Sequence, residues 1–362
     1  MVTDRRRGWQ AQVVSRGYTL QANAPLRAMN TFGVDVTAAW LLTVHEPGAI
    51  AAALADPAIV GMPLMCIGDG SNLLLVSDFE GVALRQAYDG VRVLAADGGS
   101  ALIRADAGHG WDALVDWSLG RGLAGLENLA LIPGLAGAAP IQNIGAYGTE
   151  VDEFVETVET WDRVSGRPVR LSRAECGFTY RDSRFKHELD RWIVTAIELR
   201  LPRERQLRLD YPGVREELAS LDVVQPGPGD VAEAVRRIRR RKIPDPAVIG
   251  NAGSFFKNPV VPRQVAEALV ASNAGLPTYP ADTPERRKLS AAWMIEACGW
   301  RGHRDVDAGV SSRHALVLVN HGDATGMQIL SLAQRVAASV HARFSVRLVP
   351  EPRIVGAEFL QG

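Results

Sequence analysis

Apolar and polar positions alternate along TFGVDVTAAWLLTV, residues 31–44, in the manner of a strand with one buried face. A short helix is expected near Ile50–Leu54. PLMCIGDGSNLLLV, VALRQA, VRVLAA and ALIRADA then read as several short strands at close spacing, ahead of WDALVDWSLGRGL, the first strongly helical stretch. Strands resume at 155–163 and 192–201, and a polar, proline-bearing connection at 202–212 reads as a domain boundary. Beyond it come a helix ending in AEAVRRIRRRK, the segment GNAGSFFKNP, a helix SAAWMIEACGW and a strand HALVLVN. A long amphipathic helix follows with Ile329, Leu332, Val336 and Val340 on one stripe, and SVRLVPEPRIVG is the last strand. The pattern is α+β: a loose leader over 1–22, a first domain over 23–203, a C-terminal domain over 204–348 and a closing segment over 349–362.

Composition adds exclusions. The 362 residues are 47% hydrophobic and 22% charged, ordinary for a soluble protein of two or three domains. A formal net charge of −1 argues against nucleic acid or an anionic membrane as the main partner. Arg5, Arg6 and Arg7 run straight into polar sequence with no apolar signal segment, so a cytoplasmic location is expected; a monomer is expected as well, although nothing in the sequence sets the oligomeric state. Cys66, Cys176 and Cys298 are odd in number and far apart, which suits neither a disulfide framework nor a CxxC metal site, and no metal motif is present.

The chemistry concentrates in PGLAGAAPIQNIGAYG, residues 133–148, with four glycines, four alanines and two prolines among sixteen uncharged residues. Small residues let backbone approach a ligand and expose its N–H donors, while proline holds the path rigid. A flat, phosphate-bearing cofactor suits such a loop. Gln142 and Asn143 lie inside it and need partners if buried. A second loop, Gly68, Asp69, Gly70, Ser71 and Asn72, leaves a strand and offers successive backbone donors for a diphosphate. The GHGWDA run at 108–113 matches GxGxxA and has Glu127 about twenty residues on, but it is no Rossmann site. Arg104 and Asp106 alternate through the preceding strand, whereas a central parallel strand is apolar on both faces. Six basic residues in the seven of 236–242 read as a helix end ahead of Pro244.

In order along the chain, TFGVD, GDGSNLLL, GLENLALIPGLAGAAPIQNIGAYG, YRDSRFK, GNAGSFFKNP and PEPRIVG resemble the UDP-N-acetylenolpyruvoylglucosamine reductases, over roughly residues 24 to 356. The resemblance implies a two-part FAD-binding domain of the vanillyl-alcohol oxidase type followed by a C-terminal α+β substrate-binding domain. It implies non-covalent FAD contacted by Gly68, Gly70, Ser71, Asn72, Leu73, Pro133, Gly134, Gly137, Ala138, Gln142, Asn143, Gly145 and Ala146. NADPH would reduce the FAD, and UDP-N-acetylglucosamine enolpyruvate would receive the hydride. YRDSRFK marks the subtype with an extra substrate-closing loop, although the loop tyrosine, Tyr211, is followed here by Pro212 in place of the usual glycine.

The reaction leaves negative charge beside the substrate carboxylate, so it needs a cation there and a proton donor. By resemblance Arg181 grips the carboxylate, Ser254 gives the proton and Glu351 assists. Pro350 and Pro352 hold Glu351 on a rigid extended path, and a carboxyl beside a developing dianion is expected to keep its proton. Tyr147, Tyr211, Lys242 and Asn258 are the implied substrate contacts. Two other readings compete. An oxidase on the same FAD domain often tethers its flavin through histidine or cysteine, and 133–148 holds neither; a flavin-binding regulator would have no use for Arg181, Ser254 and Glu351 together.

Overall fold

Strand alternation builds two separate five-stranded sheets before the C-terminal region begins. The structure, a computed structural model, describes residues 12–360. The first sheet orders Gln12–Ser15, Tyr18–Pro25, Thr37–Val44, Phe79–Gln86 and Leu64–Cys66; its last two strands join in parallel and the others are antiparallel. Residues 12–22 therefore correct the expected loose leader, while residues 1–11 lie outside the described part. Leu20 stands opposite Leu42 and both are fully buried, so the second strand is anchored by the same alternation that defines Thr37–Val44.

The second sheet is antiparallel throughout, ordered Arg167–Ser172, Val155–Asp162, Trp192–Pro202, Ser100–Asp106 and Val91–Ala96. Ala101, Ile103 and Ala105 face its core. Arg104 takes the other face and pairs with Glu159 at 2.8 Å and Asp106 at 2.5 Å, as a one-sided strand requires. Glu127 is not a ribose ligand: it is buried and accepts from the Gly125 N–H of its own turn. The helix Trp111–Leu119 covers the sheet.

Two further helices, Val214–Ser220 and Pro228–Lys242, bury Val214, Leu218, Val231, Val235 and Ile238 in this same core. The expected domain break at 204 is thus displaced, because the apolar faces of both helices complete the second lobe rather than the C-terminal one. Pro228 occupies the first turn, and the basic end lies just ahead of Pro244 as expected.

The C-terminal region orders Gly250–Ser254, Val317–Asn320, Ala308–Val310 and Arg304–Asp305 under the helix Gly326–Phe344. Thr325 and Gln328 cap that helix reciprocally, and Ile329, Leu332, Val336 and Val340 are buried along its stripe. A helix Arg263–Ser272 and three short strands, Val260–Pro262, Arg286–Leu289 and Thr278–Pro280, were not legible in the sequence. The chain then crosses back. Only Arg353–Val355 of SVRLVPEPRIVG is strand, paired in parallel with Leu73–Leu75, and Leu74, Leu75 and Val355 share one core with the C-terminal helices.

Candidate active site

The two loops singled out by composition meet. Ser71 Oγ donates to the Pro133 carbonyl at 3.0 Å and Asn72 Nδ2 to Gln142 Oε1 at 2.6 Å, while Leu73 begins the strand that receives the chain's end. Among the described residues no acceptor meets the backbone N–H groups of residues 68–72, so five consecutive donors line one turn. Gly70, at φ +61°, makes that turn possible: a Cβ there would sit 2.5 Å from Asn30 Cα. Facing it, a Cβ on Gly68 would lie 3.1 Å from Leu135 Cδ1, one on Gly134 2.7 Å from Ser71 Oγ and one on Gly137 2.6 Å from Ala107 Cβ. Ala138 closes a 3-10 turn beside them, and Gly145 and Ala146 pair with Thr149–Glu150.

Asn143 behaves differently from its neighbours. Its Nδ2 donates to Glu150 and to the Thr179 carbonyl, and its Oδ1 accepts from the Asp152 N–H, so the side chain pins the loop and leaves only backbone for a ligand. The unpaired donors and the missing side chains together fit FAD, with the backbone of residues 68–72 for its diphosphate.

Arg181, itself at φ +54°, folds back over the glycine-rich loop of residues 133–148. Its guanidinium donates to the carbonyls of Gly145 and Asn143 and to Glu150 Oε1 at 3.3 Å, and Nε lies 3.6 Å from Glu351 Oε1. Glu351 is set from several sides. Its N–H donates to the Phe255 carbonyl at 2.8 Å, Pro350 bridges Phe256, and its own carbonyl accepts from Lys186 Nζ at 3.3 Å and Asn72 Nδ2 at 3.4 Å. Ser254, the residue before Phe255, is carried alongside by that pairing. Burial pushes the Glu351 carboxyl above the ordinary carboxylate range, against the pull of Arg181, Lys186, Lys257 and Arg239. Burial and neighbouring Lys257 hold the Lys186 ammonium below its usual range.

Tyr147 and Tyr211 stand edge to face, ring centroids 5.0 Å apart, and burial pushes the Tyr147 hydroxyl up to about 12. Asn258 Oδ1 accepts the Ala291 N–H at 3.0 Å, capping the helix Ala291–Ala297. Lys242 closes its helix apart from Arg181 and Glu351, with which it makes no direct hydrogen bond or ion pair in the described chain. The sequence reading passed over Lys186, Lys257 and Arg239. Arg239 donates to the Leu131 carbonyl at 3.1 Å and has no carboxylate partner among the described residues. A signal existed: Arg239 stands four and eight residues after Val235 and Val231, on the buried stripe of its helix.

Two family profiles match, one described as an FAD binding domain over residues 38–172 and one as the UDP-N-acetylenolpyruvoylglucosamine reductase C-terminal domain over 245–355. The UDP-N-acetylenolpyruvoylglucosamine reductase of Xylella fastidiosa is 53% identical over 96% of this chain and 99% of its own. That of Xanthomonas euvesicatoria is 54% identical over 96% of this chain and 100% of its own. The crystal structure of the Thermus caldophilus enzyme superposes with a TM-score of 0.62 at 25% identity, covering 91% of this chain and 96% of that one. With whole-length relatives above half identity and both halves of the fold accounted for, this chain belongs to the UDP-N-acetylenolpyruvoylglucosamine reductase family.

Proposed function

We propose that the chain reduces UDP-N-acetylglucosamine enolpyruvate to UDP-N-acetylmuramate with NADPH through non-covalent FAD, a step in peptidoglycan precursor synthesis. The observation that carries this reading is a partly buried carboxyl, Glu351, 3.6 Å from the partly buried guanidinium of Arg181, beside a loop of five unpaired backbone donors. FAD, when bound, supplies the hydride that NADPH has given to it.

The chain's residues answer the remaining needs. Arg181 presents a permanent cation to the substrate carboxylate while its other protons hold the loop at Gly145 and Asn143. Ser254 delivers the proton that completes addition across the double bond. Glu351, kept toward its protonated form by burial, donates a hydrogen bond instead of repelling the charge that develops next to the carboxylate. Tyr147, Tyr211, Lys242 and Asn258 hold the nucleotide sugar, the ammonium of Lys242 suiting a diphosphate. A location in the cytoplasm, a monomeric state and a consequent part in cell shape and division complete the reading. Among the described residues no helix is long and apolar enough to cross a membrane.

The test is anaerobic. NADPH should bleach the flavin band, and stoichiometric UDP-N-acetylglucosamine enolpyruvate should restore it promptly. Bleaching that only oxygen reverses would keep the FAD domain and overturn the substrate.

A further inference from the structure

We propose that Asn128 is a positioning residue that couples the flavin loop to the segment bearing Tyr211, and so sets the Tyr147–Tyr211 pair that faces the substrate. The inference rests on the functional reading above.

Asn128 is 1% exposed. Its two amide protons go to two different chain segments: Nδ2 donates to the Tyr147 carbonyl at 3.1 Å and to the Arg208 carbonyl at 3.0 Å. Tyr147 closes the glycine-rich loop, and Arg208 lies three residues before Tyr211. The tie is answered from the other side, because the Arg208 guanidinium donates to the Gly148 carbonyl and to Glu153, whose carboxylate also takes Arg205. Such bracing has a reason. Tyr147 sits at φ +48°, a left-handed conformation that a bulky side chain adopts only when its surroundings impose it. One buried amide thus fixes the strained backbone under one tyrosine and the approach to the other, whose rings touch edge to face. The Asn128 oxygen has no partner in the described chain, which leaves the two N–H groups as the coupling element.

Asn128→Asp replaces those protons with an oxygen that faces two carbonyls, and Asn128→Ser shortens the reach. In anaerobic half-reactions both variants should let NADPH bleach the flavin at the wild-type rate, while the KM for the UDP-sugar rises about tenfold or more, the value of at least one of the two lost buried hydrogen bonds. If Asn128 acts through Tyr211, adding Asn128→Ser to Tyr211→Ala should raise the KM no further than Tyr211→Ala alone. Additive losses, or equal slowing of both half-reactions, would overturn the proposal. Should the variants lose their flavin, hydrogen exchange on the wild-type enzyme decides: residues 147–149 and 205–211 should open as one unit, and independent protection overturns the coupling. A wild-type flavin that the UDP-sugar does not reoxidise would refute the functional reading instead, and the exchange in the free enzyme still judges the coupling.

Discussion

Gly70→Ala tests whether the turn at residues 68–72 owes its donors to a missing side chain. At φ +61° the alanine itself costs about 1 kcal/mol. The larger effect is steric: the new Cβ would lie 2.5 Å from Asn30 Cα, about 0.5 Å inside the closest approach that real Cβ atoms make, and what it meets is backbone that no rotamer change can clear. The turn must move by at least that distance, and its N–H groups move with it. A charge-assisted hydrogen bond contributes about 1.5–3 kcal/mol, so misaligning one of them should raise the Kd for FAD about 10- to 100-fold. The assay strips the flavin, titrates it back by fluorescence quenching and records the Tm of the apoprotein. Gly33→Ala is the control, because Gly33 has a similar φ of +65° with no atom within 4 Å of its Cβ position. It should lower the Tm and leave FAD affinity unchanged. If Gly70→Ala binds FAD as the wild type does, or both variants weaken it equally, the donors of this turn do not hold the cofactor.

Three further outcomes are expected. Ser254→Ala should still be bleached by NADPH while reoxidation by substrate slows about 10²- to 10⁴-fold in stopped flow, the usual worth of a positioned proton donor; normal reoxidation would remove Ser254 from the chemistry. Glu351→Gln should keep much of the turnover that Glu351→Ala loses, since the amide still donates. Because burial raises the folded carboxyl above its unfolded value, Glu351 adds stability at acid pH that is lost as pH rises from the ordinary carboxylate range through the folded value. The Gln variant should therefore gain Tm over the wild type toward neutral pH and not at acid pH, and an offset independent of pH would count against a raised carboxyl. Arg181→Lys keeps the charge but cannot serve Gly145, Asn143 and a carboxylate together, so the KM for substrate should rise about 10-fold or more; an unchanged KM would place the carboxylate elsewhere.

Where one face of a strand is buried, the sequence was readable: 37–44 and 100–106 follow the alternation, and the glycine-rich loops announce themselves by composition. Gln12–Ser15 and Arg167–Ser172 escaped because an edge strand needs only one neighbour's hydrogen bonds and no strict alternation, while Val260–Pro262 and Thr278–Pro280 are too short to show a period. The helices at 214–242 show their apolar stripes, but which core receives a stripe is a tertiary fact, and the polar connection at 202–212 pointed to the wrong one. At the site, Arg181 and Glu351 were recoverable only through resemblance. Arg239 was hidden in a run three of whose members pair with carboxylates, Arg236 with Asp112, Arg237 with Glu233 and Arg241 with Glu217. Asn128 is indistinguishable in sequence from any polar residue before a loop, since its two acceptors lie 19 and 80 residues away.

The parallel pairing of Arg353–Val355 with Leu73–Leu75 has a consequence for how the protein is made. During synthesis the first strand of that pair leaves the ribosome some 280 residues before its partner, so the turn at 68–72 and the glycine-rich loop can form while Glu351 is still unmade. A nascent chain stalled between residues 148 and 350 would hold the parts of a flavin site yet lack its acid and the strand that latches it. Competence for the reaction thus waits on the segment 351–355, and ending the chain before Glu351 should abolish activity well before it unfolds the lobes.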